Sequence, residues 1–494
     1  MSSRTLRPSR VTTVAAALAA VGALAVPVAP AIAAGSPRST EPRSAEPRAT
    51  EPRATEPRAT EPRVTEPRHE QGTLPDGSTW DIAVPAGWNG DVILFSHGFR
   101  TGAVNPTVDA GFAPTSAALQ ARGYAVAQSS YARTGWALGS AVDDQLGVLA
   151  EFKARIGEPR RTIAFGRSMG GLVSSLLAER RDADIDAAIS TCGLLGGGLN
   201  LNNYQLDGQQ AVASLLLPGE DVRLTKFASV EEAAANAQRL VDAVKAAQAT
   251  PQGRARIALA ASLMNMPTWA TGATPPKARD AVAVEQAQYT YLIGSLTMMM
   301  TRRVDIQEVS GGDSGWNKGV DYARLLRRSD QAGNVARLYR SAGLDLKQDL
   351  RQITSDADVT ADPAAVTWLK RTSAPTGRLR VPVLTMHTVA DPAAPVEYTS
   401  EYATKVKRAG SGALLRQAYV QRTGHCTFTP AENVAAVQAM QERLDTGRWT
   451  GAVRPRSLQR VAEAANLAGA AFVSYRPGAF VNDRADRDPY GPRR

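Results

Sequence analysis

The chain has 494 residues, with 57 basic and 47 acidic side chains, and its formal net charge at pH 7 is +10. This length suffices for more than one compact unit. The basic residues are scattered rather than clustered with aromatic residues, which argues against a nucleic-acid partner. The sequence contains no zinc-finger spacing, no transition-metal cluster and no GxGxxG fingerprint, so we expect neither a metal nor a cofactor.

The first 33 residues have the pattern of a secretory signal peptide. Three arginines precede an apolar, alanine-rich run at residues 11–26, and residues 31–33 match an A-x-A cleavage site. A transmembrane anchor is the alternative, but Pro27 and Pro30 interrupt the apolar run. The sequence therefore predicts a secreted, extracellular protein with no stable membrane anchor.

Residues 34–72 form the next predicted segment, which contains a repeated Glu-Pro-Arg unit. The unit recurs every five residues from Glu41 to Glu66. Because a proline at every fifth position removes helix hydrogen bonds, and because the repeat has no residue that can build a core, we expect a disordered, polar linker.

Buried-strand patterns alternate with helical patterns over residues 73–199. Apolar runs at 91–97, 124–129 and 186–191 are typical of strands that are buried on both faces. Residues 139–156 have helical periodicity between two of these runs. This alternation predicts a parallel sheet with helices on both faces, and residues 73–199 are its first part.

The stretch that organises this predicted sheet is residues 161–178, which read RTIAFGRSMGGLVSSLLA. A short apolar run leads into a G-x-S-x-G motif with Ser168 at its centre, and a small-residue helix follows. Strand, tight turn and helix are the context that a nucleophile elbow requires. Glycines flank the serine because the turn is sharp. Ser168 is therefore the candidate nucleophile.

Residues 200–376 have mostly helical patterns and predict a cap over the carboxyl edge of the sheet. Strand patterns resume within residues 377–447, which we assign to the second part of the core. The remaining residues, 448–494, are a C-terminal extension. Its charged end, from Asn482 onward, is expected to fray.

A serine hydroxyl needs a base within hydrogen-bond reach and a third group that orients the base. Asp391 follows the predicted strand at 381–386, and His425 follows the predicted strand at 414–420. Both therefore lie at carboxyl ends of strands, as Ser168 does. The chain order serine, acid, histidine predicts that His425 is the base and that Asp391 orients it.

Two further histidines have other expected roles. His387 precedes its nearest acid on the same predicted loop, so we expect a structural role for it. His97 and Gly98 form a turn after an early core strand. We expect this turn to shape an oxyanion hole made by the backbone N–H groups of Phe99 and Met169.

One short sequence is similar to a catalytic motif without matching its context. Gly312-Asp313-Ser314-Gly315 is similar to the serine loop of trypsin-like proteases, but no histidine lies in a matching upstream context. The surrounding patterns are helical. We therefore expect a glycine-rich loop without a catalytic role.

Together, these motifs resemble the α/β-hydrolase superfamily over residues 78–447. The resemblance implies a mostly parallel, eight-stranded sheet with a helical cap inserted after the sixth strand. It also implies a Ser168-Asp391-His425 triad that hydrolyses an acyl bond through an acyl-enzyme. The signal peptide, the low-complexity spacer and the G-R-S-M-G-G elbow resemble exported bacterial esterases and lipases. We therefore expect a serine hydrolase that acts on a small-molecule or oligomeric carboxylic ester.

Two alternatives to an esterase stay open. The first is a secreted serine aminopeptidase of the same fold, which needs acidic residues facing the site to bind an amino terminus. The candidates in the cap are Glu231, Glu232, Asp305 and Glu308. The second is a non-enzymatic binding protein of the hydrolase fold, against which the intact triad argues.

Cys192 and Cys426 are the two cysteines of the chain. An even count in an exported chain favours a disulfide, and two buried free thiols are the alternative. In the expected layout, Cys192 ends the strand after the nucleophile helix and Cys426 adjoins His425. A bridge between them would close a loop around the whole cap and hold the His425 loop in place.

Overall fold

The computed structural model describes residues 65–484, so the predicted signal peptide and most of the predicted linker lie outside the described residues. Nine strands form one sheet in the order β1-β2-β4-β3-β5-β6-β7-β8-β9. The pairs β1/β2, β2/β4 and β8/β9 are antiparallel and the others are parallel. The strands are β1 (Arg68–Thr73), β2 (Thr79–Val84), β3 (Asp91–Ser96), β4 (Ala125–Ser129), β5 (Arg161–Arg167), β6 (Ala187–Thr191), β7 (Val383–Ala390), β8 (Leu415–Thr423) and β9 (Phe472–Val473).

Fourteen α-helices lie within the described range. They are α1 (Ala113–Gln120), α2 (Ala141–Arg155), α3 (Met169–Leu177), α4 (Gly197–Leu216), α5 (Val230–Ala247), α6 (Pro251–Leu263), α7 (Ala281–Ser310), α8 (Tyr322–Arg328), α9 (Ala332–Ser341), α10 (Leu346–Asp356), α11 (Pro363–Thr372), α12 (Tyr398–Arg408), α13 (Pro430–Thr446) and α14 (Pro455–Ala464). None of these helices is both long and apolar enough to cross a membrane.

The pleat of the central strands divides the core into two layers. In β3, Val92 and Leu94 point into the layer that contains α2, α3, α12 and the cap. Ile93 and Phe95 point into the layer that contains α1, α13 and α14. Because successive side chains of a strand face opposite sides, the continuous apolar runs in the sequence produce a sheet that is covered on both faces. The predicted fold class is confirmed.

The helices α4–α11 form the cap, which is inserted between β6 and β7 as predicted. Asp305 of α7 attaches the cap to the loop after β4. Its carboxylate accepts hydrogen bonds from the backbone N–H of Trp136 and, at 2.8 Å, from Arg133. A side chain at Gly135 would overlap this carboxylate, and the φ of Gly135 is +78°, so the contact requires glycine there.

Two predictions about the edges of the sheet are wrong. The sheet has nine strands rather than eight, because Phe472–Val473 of the C-terminal extension pair with β8. In addition, β1 begins at Arg68, within the segment predicted to be a disordered linker. The last proline of the repeat is Pro67, so no residue of β1 lacks the N–H that pairing with β2 requires.

The C-terminal extension also departs from the prediction, because Asn482 and Arg484 are buried against the cap rather than frayed. Residues 485–494 lie outside the described residues. Arg484 is only 3% exposed and forms an ion pair with Asp207 of α4. Its Nη1 also donates to the carbonyl oxygen of Trp316 at 2.7 Å. Asn482 donates to the same carboxylate of Asp207 at 2.5 Å. A pairing between residues so distant in sequence leaves no local pattern from which it could be predicted.

We expect Asp207→Ala to lower the free energy of unfolding by about 3–5 kcal/mol, because it leaves the buried Arg484 guanidinium without its counter-ion. Urea denaturation measures the change. The matched control is Arg239→Ala, which removes an exposed ion pair to Glu220 and should cost about 0–1 kcal/mol. Equal losses in the two variants would contradict a stabilising role for the buried pair.

Candidate active site

Ser168 lies at a sharp turn between β5 and α3, as the elbow motif predicts. Its φ and ψ are 57° and −122°, a strained conformation for a residue with a side chain. A Cβ at Gly166 would overlap the carbonyl of Gly170, and a Cβ at Gly170 would overlap the carbonyl of Ser96. Only glycine therefore permits the close approach of strand and helix that holds the Ser168 side chain at the end of β5.

His425 and Asp391 lie directly beside this serine. The Ser168 Oγ is 2.7 Å from the His425 Nε2, and the His425 Nδ1 is 2.8 Å from the nearer Asp391 carboxylate oxygen. Asp391 is 1% exposed, and its Oδ1 accepts the backbone N–H groups of Ala393 and Ala394 at 2.9 Å each. With Nδ1–H donating to the fixed carboxylate, Nε2 is free to accept the serine proton. The structure thus brings the three predicted residues together.

The His97-Gly98 turn borders Ser168. A Cβ at Gly98 would lie 3.6 Å from the Ser168 Oγ, so a side chain there would enter the site. His97 is buried and stacks on Tyr131 with 4.0 Å between ring centroids, while the Tyr131 hydroxyl donates to the His97 carbonyl at 3.1 Å. Burial lowers the pKa of His97 to about 4. The neutral ring therefore supports the turn rather than exchanging protons.

Phe99 and Met169 provide the two N–H groups assigned to the oxyanion hole. Phe99 directly follows the turn, and Met169 is the first residue of α3. Within residues 65–484, neither N–H donates to a protein acceptor. Both donors are therefore available to a ligand, and the oxyanion hole stays a prediction.

His387 lies in β7 rather than in the loop that the sequence analysis predicted after Met386. The strand continues because β7 and β8 keep pairing as far as Ala390, across an irregularity between Thr388 and Ala390. The His387 ring is buried, which lowers its pKa, and Nδ1 lies 2.9 Å from the Thr388 carbonyl oxygen. These contacts fit the structural role expected for it.

The structure contains the expected disulfide between Cys192 and Cys426, which closes a 234-residue separation around the cap. The Cys426 Sγ is 3.4 Å from the His425 Nε2. At the other end, the Cys192 N–H donates to the Met386 carbonyl at 2.8 Å, beside the end of β6. The bridge therefore joins the loop that carries His425 to the centre of the sheet.

Arg302 of α7 was not among the predicted site residues. Its guanidinium lies 5.8 Å from the centroid of the Phe99 ring. The spacing of buried residues along α7 is the pattern that points to Arg302. Arg302 continues a buried stripe that runs through Ser295, Met299 and Ile306 at spacings of three and four residues. A charged residue within such a stripe is the feature that could have identified it.

No family model matches the chain. It is 30% identical over 428 residues to the o-phthalyl amidase of Xanthobacter agilis, a match that covers 80% of this chain and 91% of the amidase. Among solved structures, feruloyl esterase B from Aspergillus oryzae gives a TM-score of 0.38 at 12% identity, covering 84% of this chain and 89% of the esterase. The Pyrococcus horikoshii acylaminoacyl peptidase gives a TM-score of 0.34 at 11% identity, covering 77% of this chain and 41% of the peptidase.

Scores of this size for the solved structures carry no argument about activity. The amidase is different, because its similarity extends over most of both chains. Together with the α/β architecture, it shows that this chain is a hydrolase. The chain belongs to the α/β-hydrolase superfamily, in the family of the Xanthobacter agilis o-phthalyl amidase.

Proposed function

We propose that the chain hydrolyses a carboxylic amide or ester through an acyl-enzyme on Ser168. The His425 Nε2 takes the serine proton as Oγ attacks the carbonyl carbon. The same proton passes to the leaving amine or alcohol as the C–N or C–O bond breaks. Water activated by His425 then releases the acid. The observation that carries this proposal is the 2.7 Å contact between the Ser168 Oγ and the His425 Nε2.

The negative charge that develops on the carbonyl oxygen needs donors fixed in advance. We assign this role to the backbone N–H groups of Phe99 and Met169. Their lack of protein acceptors within the described residues supports the assignment, as does the absence of a side chain at Gly98 beside Ser168. Preorganised donors of this kind are usually a large contribution to acyl-transfer catalysis.

The bond that is cleaved is inferred from two kinds of evidence. The elbow and the export pattern favour an ester, whereas the relative that is 30% identical is an amidase. Because of this relative, we favour amide hydrolysis as the native reaction. Amides and esters pass through the same acyl-enzyme, and an ester has the better leaving group. We therefore expect activated esters of the same acids to be additional substrates.

An aminopeptidase is less well supported, because two of the candidate carboxylates in the cap bind other groups of the protein and the other two are exposed. Asp305 binds the loop after β4. Glu232 pairs with Arg223 and accepts the Ala228 N–H. Glu231 and Glu308 are exposed on the surface. None of the four is a buried acid held ready for a substrate amino group.

We also propose that the protein works outside the cytoplasm. The signal-peptide pattern at residues 1–33 carries this proposal. The disulfide supports it, because such bonds persist in oxidising compartments.

A paired substrate screen tests the proposed reaction. Acyl 4-nitroanilides and the matching 4-nitrophenyl esters are assayed with and without a fluorophosphonate, which labels activated serines. We expect both series to be cleaved, activity to fall in proportion to labelling, and the label to map to Ser168. Labelling of another serine, or hydrolysis that survives complete labelling, would refute the proposal.

A further inference from the structure

Arg302 is a buried cation without a counter-ion in the described part of the chain. The residue is 8% exposed, and its Nε and Nη2 atoms are closed to solvent and have no hydrogen-bond partner. A guanidinium does not give up its proton in proteins. Burying such a charge unpaired costs free energy, so the arrangement needs an explanation other than stability.

The side chains around Arg302 supply no negative charge. The Phe99 ring offers a weak cation–π contact at 5.8 Å. Tyr204 and Tyr398 also interact with the guanidinium, but burial raises both of their pKa values, that of Tyr204 to about 12, so both hydroxyls stay neutral. The Tyr398 hydroxyl has no partner either. Among the described residues, the neighbours of Arg302 are therefore neutral and include no anion.

Arg302 is connected to the candidate catalytic residues on two sides. On one side, Phe99 follows Gly98, which borders the Ser168 Oγ. On the other side, the Tyr204 hydroxyl donates to the Ala393 carbonyl at 3.3 Å, and the Ala393 N–H binds the carboxylate of Asp391. Contacts thus link the unpaired charge to the residue after Gly98 and to the loop that carries Asp391.

We propose that Arg302 is the specificity residue of this site and binds a free carboxylate of the substrate. The inference rests on the proposed function, since it makes the carboxylate part of the molecule that Ser168 attacks. The Nε and Nη2 atoms form the edge of a guanidinium that binds a carboxylate through two parallel hydrogen bonds. Because this edge is closed to solvent without a ligand, binding requires the side chains around it to move apart.

Arg303 provides a comparison on the same helix. It is 1% exposed, and its Nη2 donates to the Asn202 carbonyl at 3.1 Å and to the Gln209 side chain at 3.3 Å. Asp313 lies near enough to favour its charge. The Arg303 Nε and Nη1 also lack partners, but the bonds of Nη2 hold α7 against α4. Within the described residues, Arg302 makes no such hydrogen bond.

The test compares substrates that differ by one carboxylate. In the first pair, the half 4-nitroanilide of succinic acid is compared with butyryl 4-nitroanilide, so the carboxylate is on the acyl side. In the second pair, 4-acetamidobenzoate is compared with 4-acetamidotoluene, so it is on the leaving group. We expect wild-type kcat/KM to favour the acid about 100-fold in one pair, and Arg302→Met to reduce that ratio to below about fivefold.

Arg303→Met is the matched control, and binding gives a second readout. Arg303→Met should lower the midpoint of thermal unfolding and keep the ratio of kcat/KM between acid and neutral substrate, whereas Arg302→Met should not lower the midpoint.

Calorimetry of succinamate and butyramide with the Ser168→Ala protein measures carboxylate binding without turnover. If the wild-type protein cleaved none of these substrates while Ser168→Ala bound succinamate and Ser168→Ala/Arg302→Met did not, the proposed function would be refuted and the anion site supported. Equal wild-type rates in both pairs, or a ratio that Arg302→Met leaves intact, would overturn the inference.

Discussion

Replacing Ser168 with alanine is expected to reduce kcat/KM by about 10⁴- to 10⁶-fold, the range found when the nucleophile of a serine triad is removed. The reason is that, in the proposed mechanism, Oγ forms the covalent bond to the acyl group. Within the described residues, no other hydroxyl is bonded to the His425 Nε2. The remaining rate would come from the oxyanion donors and from substrate binding. Steady-state kinetics on the best anilide and ester of the screen measures the loss.

The fold should survive this substitution. The hydroxyl is lost from a partly exposed side chain, so the midpoint of thermal unfolding should stay close to that of the wild type. The matched control is Ser314→Ala in the Gly-Asp-Ser-Gly run. Ser314 is buried in the cap, where its Oγ accepts from Asn202 at 2.7 Å. That variant should lose about 1 kcal/mol of stability and keep its activity. A large loss of activity in Ser314→Ala, or no loss in Ser168→Ala, would contradict the assignment of Ser168 as the nucleophile.

The elbow could be predicted because its determinants are local. Gly166 and Gly170 flank Ser168 for steric reasons that the motif itself contains. The positions of Asp391 and His425 followed from a topological rule, since the carboxyl ends of neighbouring parallel strands meet at one edge of the sheet. These predictions needed only the order of the strands, and the structure brings the three residues together.

Two of the predictions that failed concern pairings between distant parts of the chain. Asn482 and Arg484 lie in a charged, turn-rich stretch, and their burial depends on the carboxylate of Asp207 in the cap. The ninth strand depends on β8 in the same way, because a two-residue segment has no periodicity of its own. Arg302 is different, because its place in the buried stripe of α7 follows from the residue spacing, whereas its lack of a counter-ion depends on the residues that pack around it.

Removing the disulfide should give one of the largest losses of stability in this chain. The double variant Cys192→Ala/Cys426→Ala opens a cross-link between residues 234 positions apart. In the chain-entropy model, a loop of this length corresponds to about 5 kcal/mol of stabilisation. Urea denaturation of the variant, and of the wild type with and without reductant, measures the difference. Thiol titration of the denatured, unreduced wild type should find no free thiol.

The same change should also lower kcat, because the bridge holds the loop of the proposed base. Cys426 follows His425 and has a φ of 56°, a conformation that a residue with a side chain keeps only under constraint. A displacement of the imidazole by about 1 Å would cost up to about 100-fold in rate. The control is Thr388→Val, which removes a 2.9 Å hydrogen bond from the Thr388 hydroxyl to the Gly424 carbonyl in the same loop. That variant should lose about 1 kcal/mol. If the cysteine variant lost no more stability or activity than Thr388→Val, the cross-link would contribute nothing beyond an ordinary loop contact.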